Sequence, residues 1–112
     1  PGAMQVSWRE EAEHYFVHFT QASAVSEIEY DQEGNFISSF RYYKSPDLLP
    51  VHIICRLNKK FKDKAIFGIT EFSTGSETNY YIKLEDPQRF TTVRAGEDGS
   101  LVVTEKLRKQ AG

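Results

Sequence analysis

The sequence predicts an α+β fold made of two consecutive four-strand antiparallel units, with one helix packed on the sheet that they form. The first observation is an internal repeat: segment 15–19 (YFVHF) recurs as segment 80–84 (YYIKL), and a turn glycine at Gly34 recurs at Gly99. Both pairs have the same separation along the chain. The second observation is that apolar and polar residues alternate in several short runs, which is the period of a half-buried strand. The third is a single segment of helical periodicity at about residues 48–61.

The first copy of the repeat contains four predicted strands. Val6 and Trp8 begin the first strand, and residues 36–43 form the fourth. Gly34 lies in a short polar loop between the third and fourth strands, which is a hairpin signal. The expected core positions alternate along the second and third strands, and they are Tyr15, Val17, Phe19, Ile28 and Tyr30.

One helix is predicted between the two copies. Pro50 suits a first helical turn, and Ile54, Leu57 and Phe61 recur on one face at three- and four-residue spacing. Lysines crowd the C-terminal end of this segment, where cations stabilise the helix dipole. Four more predicted strands follow at 65–72, 79–85, 90–95 and 100–105, and residues 106–112 are expected to form a polar tail.

The two copies differ in one respect, because only the second has a helix in front of its strands. When the entry strands are aligned, Val6 lies opposite Phe67, and residues 1 and 2 then lie opposite the residues just past the helix end. We therefore expect that a first helix preceded Pro1; the alternative is that residues 1–4 are a cloning remnant. In both cases we expect one domain over residues 1–112, with repeat units 1–45 and 46–106 and an under-covered first half.

Composition narrows the classes of partner. The formal net charge of −2 gives no overall attraction to nucleic acid or to anionic membranes. The apolar runs are only a few residues long, far short of a membrane span. We therefore expect no nucleic-acid partner and no integral membrane segment. Residues 1–45 carry seven acidic and three basic residues, an asymmetry that we interpret as ordinary surface solvation.

No group of residues forms a recognisable catalytic or metal-binding motif. His14 and His18 lie four residues apart on a strand, so at about 3.3 Å per residue roughly 13 Å separates them and they cannot share one ion. The single cysteine, Cys55, follows Ile53 and Ile54 and is expected to be a small packed apolar residue. The sequence therefore predicts no enzymatic activity, no catalytic residue, no metal and no cofactor.

The aromatic residues provide the candidate binding surface. On the two repeated aromatic strands, residues that alternate with the core positions project from the opposite face of the sheet. Residues 41 and 43 join this face if Tyr42 points inward. Aromatic residues and arginine are enriched at binding hot spots, and the candidate partner-binding residues are Phe16, His18, Arg41, Tyr43, Tyr81 and Lys83. The alternatives are a face covered by the first helix or by a second subunit, and scattered surface aromatics.

Several short motifs occur in a characteristic order: segments 1–3 (PGA), 6–8 (VSW), 15–19 (YFVHF), 30–37 (YDQEGNFI), 49–50 (LP), 59–61 (KKF) and 66–71 (IFGITE). In order and spacing they resemble the PepSY-like domains, a family of small exported bacterial proteins described as beta-lactamase-inhibitor-like and common in Bacteroidetes. The resemblance covers nearly the whole chain. It implies an α+β fold with a curved antiparallel sheet, a periplasmic or secreted location, and no established catalysis. The chain departs from the family pattern in lacking the first helix.

These observations favour a non-enzymatic exported module that binds a protein or peptide, or acts in an inhibitor-like way, through its aromatic sheet face. The alternative is a small-ligand carrier or small enzyme with a pocket between sheet and helix, beside Cys55 or His52. A third interpretation is self-association, because the first half of the sheet lacks a helix.

Overall fold

Eight antiparallel strands form one open, curved sheet in which each strand pairs with the next along the chain. A computed structural model describes residues 4–21 and 24–110. The elements are β1 (Met4–Glu11), β2 (His14–Gln21), β3 (Ala24–Tyr30), β4 (Phe36–Tyr43), α1 (Val51–Lys60), β5 (Ala65–Thr74), β6 (Thr78–Glu85), β7 (Arg89–Gly96) and β8 (Leu101–Arg108).

The strand boundaries reproduce the sequence repeat. β3 begins at Ala24 and β7 at Arg89, and β4 begins at Phe36 and β8 at Leu101. Both pairs of starting residues have the separation of the sequence repeat, and each of the two hairpin loops contains a glycine with positive φ. The predicted fold class, α+β with two four-strand units and one helix, is confirmed.

The helix begins at residue 51 rather than near residue 48, where the sequence predicts its start. Residues Pro46–Leu48 form a separate 3-10 turn, and Leu49 is extended at φ −78° and ψ 150°. Pro50 then occupies the N-cap position, so that α1 starts at Val51. Because proline disfavours helical backbone in the residue before it, Pro50 separates the short turn from the helix.

The main core lies between α1 and the second half of the sheet. Ile53 and Leu57, four residues apart, are 0% and 2% exposed and face the strands. Burying one such side chain stabilises a fold by about 1.5–3 kcal/mol, so this contact holds the helix in place. The other buried apolar residues of the same cluster are Ala24, Tyr43, Leu49, Ile69, Tyr80, Ile82, Leu84, Val93 and Ala95.

The helix side of the first half is open. Among the described residues α1 is the only α-helix, the buried cluster beneath it includes only Ala24 and Tyr43 from β1–β4, and Trp8 on β1 is 69% exposed. Val17 and Ile28, which pair across β2 and β3, are only partly buried. The expected under-coverage of the first half is thus observed, whereas the helix expected ahead of residue 1 stays a prediction.

The last strand extends further than the sequence predicts. β8 runs to Arg108, so the prediction of a polar tail from residue 106 is wrong for residues 106–108. Lys109 explains the extension, because its backbone N–H donates to the carbonyl of Gln88 at 2.8 Å and its Nζ donates to Glu85 at 2.8 Å. Residues 111 and 112 lie outside the described part of the chain.

Candidate functional site

Cross-strand register determines which side chains share a face of the sheet. Residues directly opposite one another on paired strands project from the same face, and neighbours along a strand alternate. One row of paired residues crosses from β2 to β6 on the face opposite α1, here termed the outer face; it contains His18, Glu27, Phe40, Phe72 and Asn79.

Four of the predicted binding residues lie on the outer face. Phe16 and His18 alternate with Val17 on β2, and Tyr81 and Lys83 flank the fully buried Ile82 on β6. Their shared orientation agrees with the alternation in the sequence. Whether they bind a partner stays a prediction.

Arg41 and Tyr43 lie on the other face. Tyr43 is 1% exposed and pairs with buried Ile69, whereas Tyr42 is 41% exposed. Tyr42 therefore points outward, the condition for placing residues 41 and 43 on the outer face is not met, and the expectation that they join it is wrong. Burial raises the pKa of the Tyr43 phenol above its ordinary value, which fits a core position.

Five aromatic side chains of the outer face, here termed the outer strip, lie on β2, β4, β5 and β6. Phe40 is 49% exposed, and its ring centroid lies 4.7 Å from that of Phe72 on the neighbouring strand. Tyr42 lies against Gly68, where a Cβ would approach the phenolic oxygen to 3.1 Å. Glycine thus leaves room for the Tyr42 ring. The outer strip spans four inter-strand spacings, roughly 19 Å, and its members are Phe16, Phe40, Tyr42, Phe72 and Tyr81.

Charged side chains flank the outer strip. The Arg9 guanidinium donates to both carboxylate oxygens of Glu27, at 3.1 and 3.2 Å, and lies 4.3 Å from the centroid of the Phe16 ring. The hydrogen bonds to Glu27 and Glu11 raise the pKa of Arg9 further above its ordinary value, and an arginine guanidinium is cationic even without them. At the other end, Arg94 on β7 pairs with Tyr81 and is exposed. The outer strip therefore has a cation near each end.

The histidines of β2 do not converge on a metal site. The Nδ1 atom of His14 lies 2.6 Å from a carboxylate oxygen of Glu29, and His18 pairs with Glu27 further along β2. Among the described residues, no three histidine, cysteine, aspartate or glutamate side chains are grouped so that they could hold a metal ion.

Cys55 and His52 do not face the interface between α1 and the sheet. Both are exposed, whereas Ile53 and Leu57 occupy the buried side of the helix. The expectation that Cys55 is packed is therefore wrong, because its apolar sequence neighbours belong to different faces of the helix. His52 Nε2 hydrogen-bonds the carbonyl oxygen of Glu97 at 2.8 Å, so its ring links the helix to the last hairpin.

Sequence reasoning missed three members of the outer strip: Phe40, Tyr42 and Phe72. For Phe40 and Tyr42 the cause is a register shift at the start of β4, where Phe36 pairs with Tyr30 but Ser38 pairs with Glu29. Phe72 on β5 shares their face because it pairs with Phe40. This bulge at position 37 reverses the alternation, so Phe36 and Phe40 project from opposite faces although both have even spacing along the strand. Tyr43 is the residue from which the correct orientation could have been predicted. If Tyr43 is assigned to the core, strand alternation places Tyr42 and Phe40 on the outer face.

Comparison with known proteins identifies the fold. No protein-family model matches the sequence, and no curated protein is similar to it. A BLIP-like protein from Bacteroides fragilis NCTC 9343 has the same fold with a TM-score of 0.69, at 14% identity over 98% of this chain and 78% of that one. A DUF2874 family protein from Bacteroides uniformis ATCC 8492 gives a TM-score of 0.69 at 11% identity, over 96% of this chain and 80% of that one.

A third similar structure is that of a candidate periplasmic protein from Bacteroides eggerthii DSM 20697. Its TM-score is 0.68 at 13% identity, over 96% of this chain and 79% of that one. At these identities the likeness shows a shared fold, and function has to be argued from the surface. In the described part of the chain, no helix is both long and apolar enough to cross a membrane.

Proposed function

We propose that this chain is a non-enzymatic, protein- or peptide-binding module that uses the outer face of its sheet. The observation that carries the proposal is the outer strip, in which five aromatic side chains from four strands share one face. Phe40 and Tyr42, at its centre, are 49% and 41% exposed. Exposed apolar area grouped in this way on a folded domain marks an interaction surface.

The composition of the outer face supports a protein partner. Protein interfaces are enriched in tyrosine, phenylalanine and arginine, with charged residues at the rim. Phe72 and Phe40 supply a paired apolar centre, and Arg9 and Arg94 lie toward the two ends. Because the Arg9–Glu27 pair is exposed, it contributes little to stability, and its more direct effect is to hold the cation over the ring of Phe16.

Location and mode of action are inferred from the similar proteins. The fold shared with a candidate periplasmic protein supports a periplasmic or secreted location. The BLIP-like protein of the same fold supports an inhibitor-like mode, in which the sheet engages another protein. The motif resemblance to the PepSY-like domains points in the same direction, and we propose a distant relationship to them.

The test is affinity capture from a Bacteroides periplasmic extract with immobilised chain. The test variant is Phe40→Ala combined with Tyr81→Ala, and the matched control is Val51→Ala, which removes an apolar side chain that is 74% exposed on α1. A protein retained by the wild type and the control but lost by the double variant supports the proposal. Unchanged capture by a double variant with wild-type circular dichroism would contradict it.

A second double variant extends the test to the β2 end of the outer strip. Phe16→Ala combined with Tyr81→Ala removes aromatic side chains from β2 and β6 and leaves the Phe40–Phe72 contact in place. A partner that spans the outer strip loses affinity with both double variants. A partner that responds to neither lies elsewhere on the molecule, and the assignment of the outer face is then wrong.

A further inference from the structure

The internal repeat allows the charges of the two copies to be compared on the outer face of the sheet. Residues of β2 and β3 correspond to residues of β6 and β7 at the separation that relates Gly34 to Gly99. The comparison concerns the face opposite α1 and does not involve the helix side of either copy. The equivalent outer-face residues are Phe16 and Tyr81, His18 and Lys83, Glu27 and Thr92, and Glu29 and Arg94.

In the first copy both carboxylates of β3 have partners within the chain. The Arg9 guanidinium donates to both carboxylate oxygens of Glu27, at 3.1 and 3.2 Å. The Nδ1 atom of His14 lies 2.6 Å from a carboxylate oxygen of Glu29, and the Ser38 hydroxyl donates to the same side chain at 3.3 Å. The charged groups on this half of the outer face are therefore already matched to one another.

In the second copy the equivalent positions hold two cations and no carboxylate. Thr92 and Arg94 replace the two glutamates, and Lys83 replaces His18. Lys83 and Arg94 are both exposed. Among the described residues, neither forms an ion pair or a hydrogen bond through its side chain. The same unit that balances its charges in the first copy thus leaves two cations unmatched in the second.

Two glutamates share this part of the outer face, and neither compensates the cations. Glu85, two residues from Lys83 on β6, accepts a hydrogen bond from Lys109 Nζ at 2.8 Å. Glu105 on β8 lies opposite Thr92 and forms no ion pair with any described residue. It reduces the positive charge of this region and does not remove it. The outer face therefore presents net positive charge at its β6–β7 end.

The two cations lie beside the aromatic residues of the outer strip. One row of paired residues crosses β4–β7, namely Tyr42, Thr70, Tyr81 and Arg94. Lys83 is two residues from Tyr81 on β6, so it lies diagonally across from Arg94 at a Cα distance of about 7–8 Å. Long side chains reach across such a distance, so both cations can contact one anion. An anion between them also removes their mutual repulsion.

This row sets the spacing of the groups that a partner has to present. Tyr42 on β4 and Arg94 on β7 are separated by three inter-strand spacings, roughly 14 Å. An extended chain rises about 3.3 Å per residue and covers this distance in about four residues. A segment that crosses the strands can thus place an apolar side chain on the aromatic centre and a carboxylate between the two cations.

We propose that the outer face recognises an acidic segment of a partner protein, with an apolar side chain against Phe40 and Tyr42 and a carboxylate held jointly by Lys83 and Arg94. This inference rests on the proposed function, because it assigns the chemistry of the partner at the same surface. Arg94 can bind the carboxylate through two parallel hydrogen bonds, and the Lys83 ammonium supplies a further donor. Negative charge on the partner also speeds its association with this half of the face.

An anionic membrane is the other surface that aromatic and cationic side chains can bind. Recognition of anionic lipid usually involves clusters of about four to eight lysines and arginines, whereas this end of the outer face has two unmatched cations. The outer face also carries Glu27, Glu29 and Glu105, which anionic head groups repel. A protein segment, which contacts only part of the face, fits this distribution of charge better.

The test is selection from a random peptide library displayed on phage. The library is first depleted on the Phe40→Ala and Tyr81→Ala double variant and then selected on the wild-type chain, so that the retained peptides depend on the outer strip. We expect them to contain an aspartate or glutamate about four residues from an aromatic or aliphatic residue. On the variant with Lys83→Glu and Arg94→Glu, we expect the same selection to retain lysine or arginine at the acidic position.

A matched control separates local charge from net charge. Lys59→Glu combined with Lys62→Glu makes the same change in net charge at exposed positions on and just past α1, and it is expected to retain the acidic preference. In titrations of a retained peptide, Lys83→Gln combined with Arg94→Gln is expected to weaken binding by about two- to fivefold for each ion pair lost. At about 1 M salt, where charges are screened within about 3 Å, this difference is expected to shrink.

The outcomes distinguish this inference from the function on which it rests. Peptides that depend on the outer strip but show no excess of acidic residues would overturn the inference and leave the proposed function standing. Failure to retain any peptide that depends on the outer strip would count against both. Binding of the chain to phosphatidylglycerol vesicles, lost with Lys83→Gln and Arg94→Gln, would assign the two cations to a lipid surface and overturn the inference.

Discussion

Gly34 and Gly99 hold the same left-handed conformation in two copies of one hairpin, and in the described part of the chain only Gly99 has a helix packed against it. Their φ values are 85° and 87°, whereas the space beyond Gly34 is open and that beyond Gly99 holds the side chains of Arg56 and His52. A duplicated unit thus contains an internal control for the effect of a packed helix on stability and exposure.

Replacing each of the two glycines by alanine distinguishes the energetic cost of backbone strain from the cost of a clash with the helix side chains. Gly34→Ala is expected to destabilise the fold by about 1–2 kcal/mol, because an L-residue is strained at positive φ. Gly99→Ala carries the same strain and also forces the Arg56 side chain away from its preferred rotamer, so its loss is expected to exceed that of Gly34→Ala by about 0.5–1.5 kcal/mol. Urea unfolding of the two variants measures the difference, and equal losses would show that α1 does not press on the second hairpin.

Truncation of matched apolar residues is expected to have unequal effects. Ile82 is 0% exposed beneath α1, and Ile82→Ala is expected to cost about 2–5 kcal/mol because it leaves a cavity. Val17 is partly exposed on the helix side of β2, and Val17→Ala is expected to cost at most about 1 kcal/mol. Chemical denaturation provides both values. A cost for Val17→Ala comparable to that of Ile82→Ala would mean that the first half is covered in solution.

Removal of the Tyr43 hydroxyl is expected to stabilise the fold. The Tyr43 oxygen is buried and has no hydrogen-bond partner among the described residues. A buried polar group without a partner costs about 1–3 kcal/mol, so Tyr43→Phe is expected to raise the free energy of unfolding by about 1 kcal/mol. Thermal and urea unfolding measure the change. A clear loss of stability would show that the hydroxyl has a partner in solution.

The acid sensitivity of the fold is expected to depend in part on Asp86. A side-chain hydrogen bond from Lys64, followed by the backbone N–H groups of Gln88 and Arg89, lowers the pKa of Asp86 to about 2. Because the folded pKa lies below the ordinary value of 3.8, Asp86 stabilises the fold above about pH 4 and loses this effect as the pH falls toward about 2.

The variant Asp86→Asn tests this pH dependence. We expect it to be less stable than the wild type at about pH 5 and to approach the wild type as the pH falls toward about 2. Urea midpoints measured across that range make the comparison. A constant difference at every pH would show that the charge of Asp86 does not contribute.

The sequence was sufficient for the architecture because the repeat and the alternation along each strand are local signals. The matched spacing of Gly34 and Gly99 indicated the duplication, and the alternation of Phe16 with Val17 placed Phe16 on the outer face. The under-coverage of the first half also followed from comparing the two copies. These inferences depend on near neighbours along the chain, which a single sequence records.

The outer strip was only partly predictable because it depends on non-local register. The bulge at position 37 reverses the alternation within β4, and the sequence of this run does not show where the extra residue lies. Cys55 was misplaced for a similar reason, since its apolar neighbours Ile53 and Ile54 lie beside it in sequence but not on the same face of the helix. The partial exposure of Val17 and Ile28 could be seen only in the structure, because their alternation in the sequence is that of core positions.

The most direct test of the proposed binding surface is nuclear magnetic resonance of the isotopically labelled chain during titration with the protein captured from the periplasmic extract. We predict that amide shifts concentrate on the outer strip, at Phe16, Phe40, Tyr42, Phe72 and Tyr81, while Val51 on the exposed side of α1 remains unchanged. Shifts centred on α1, or on Trp8 and Val17 on the helix side of the sheet, would contradict the account.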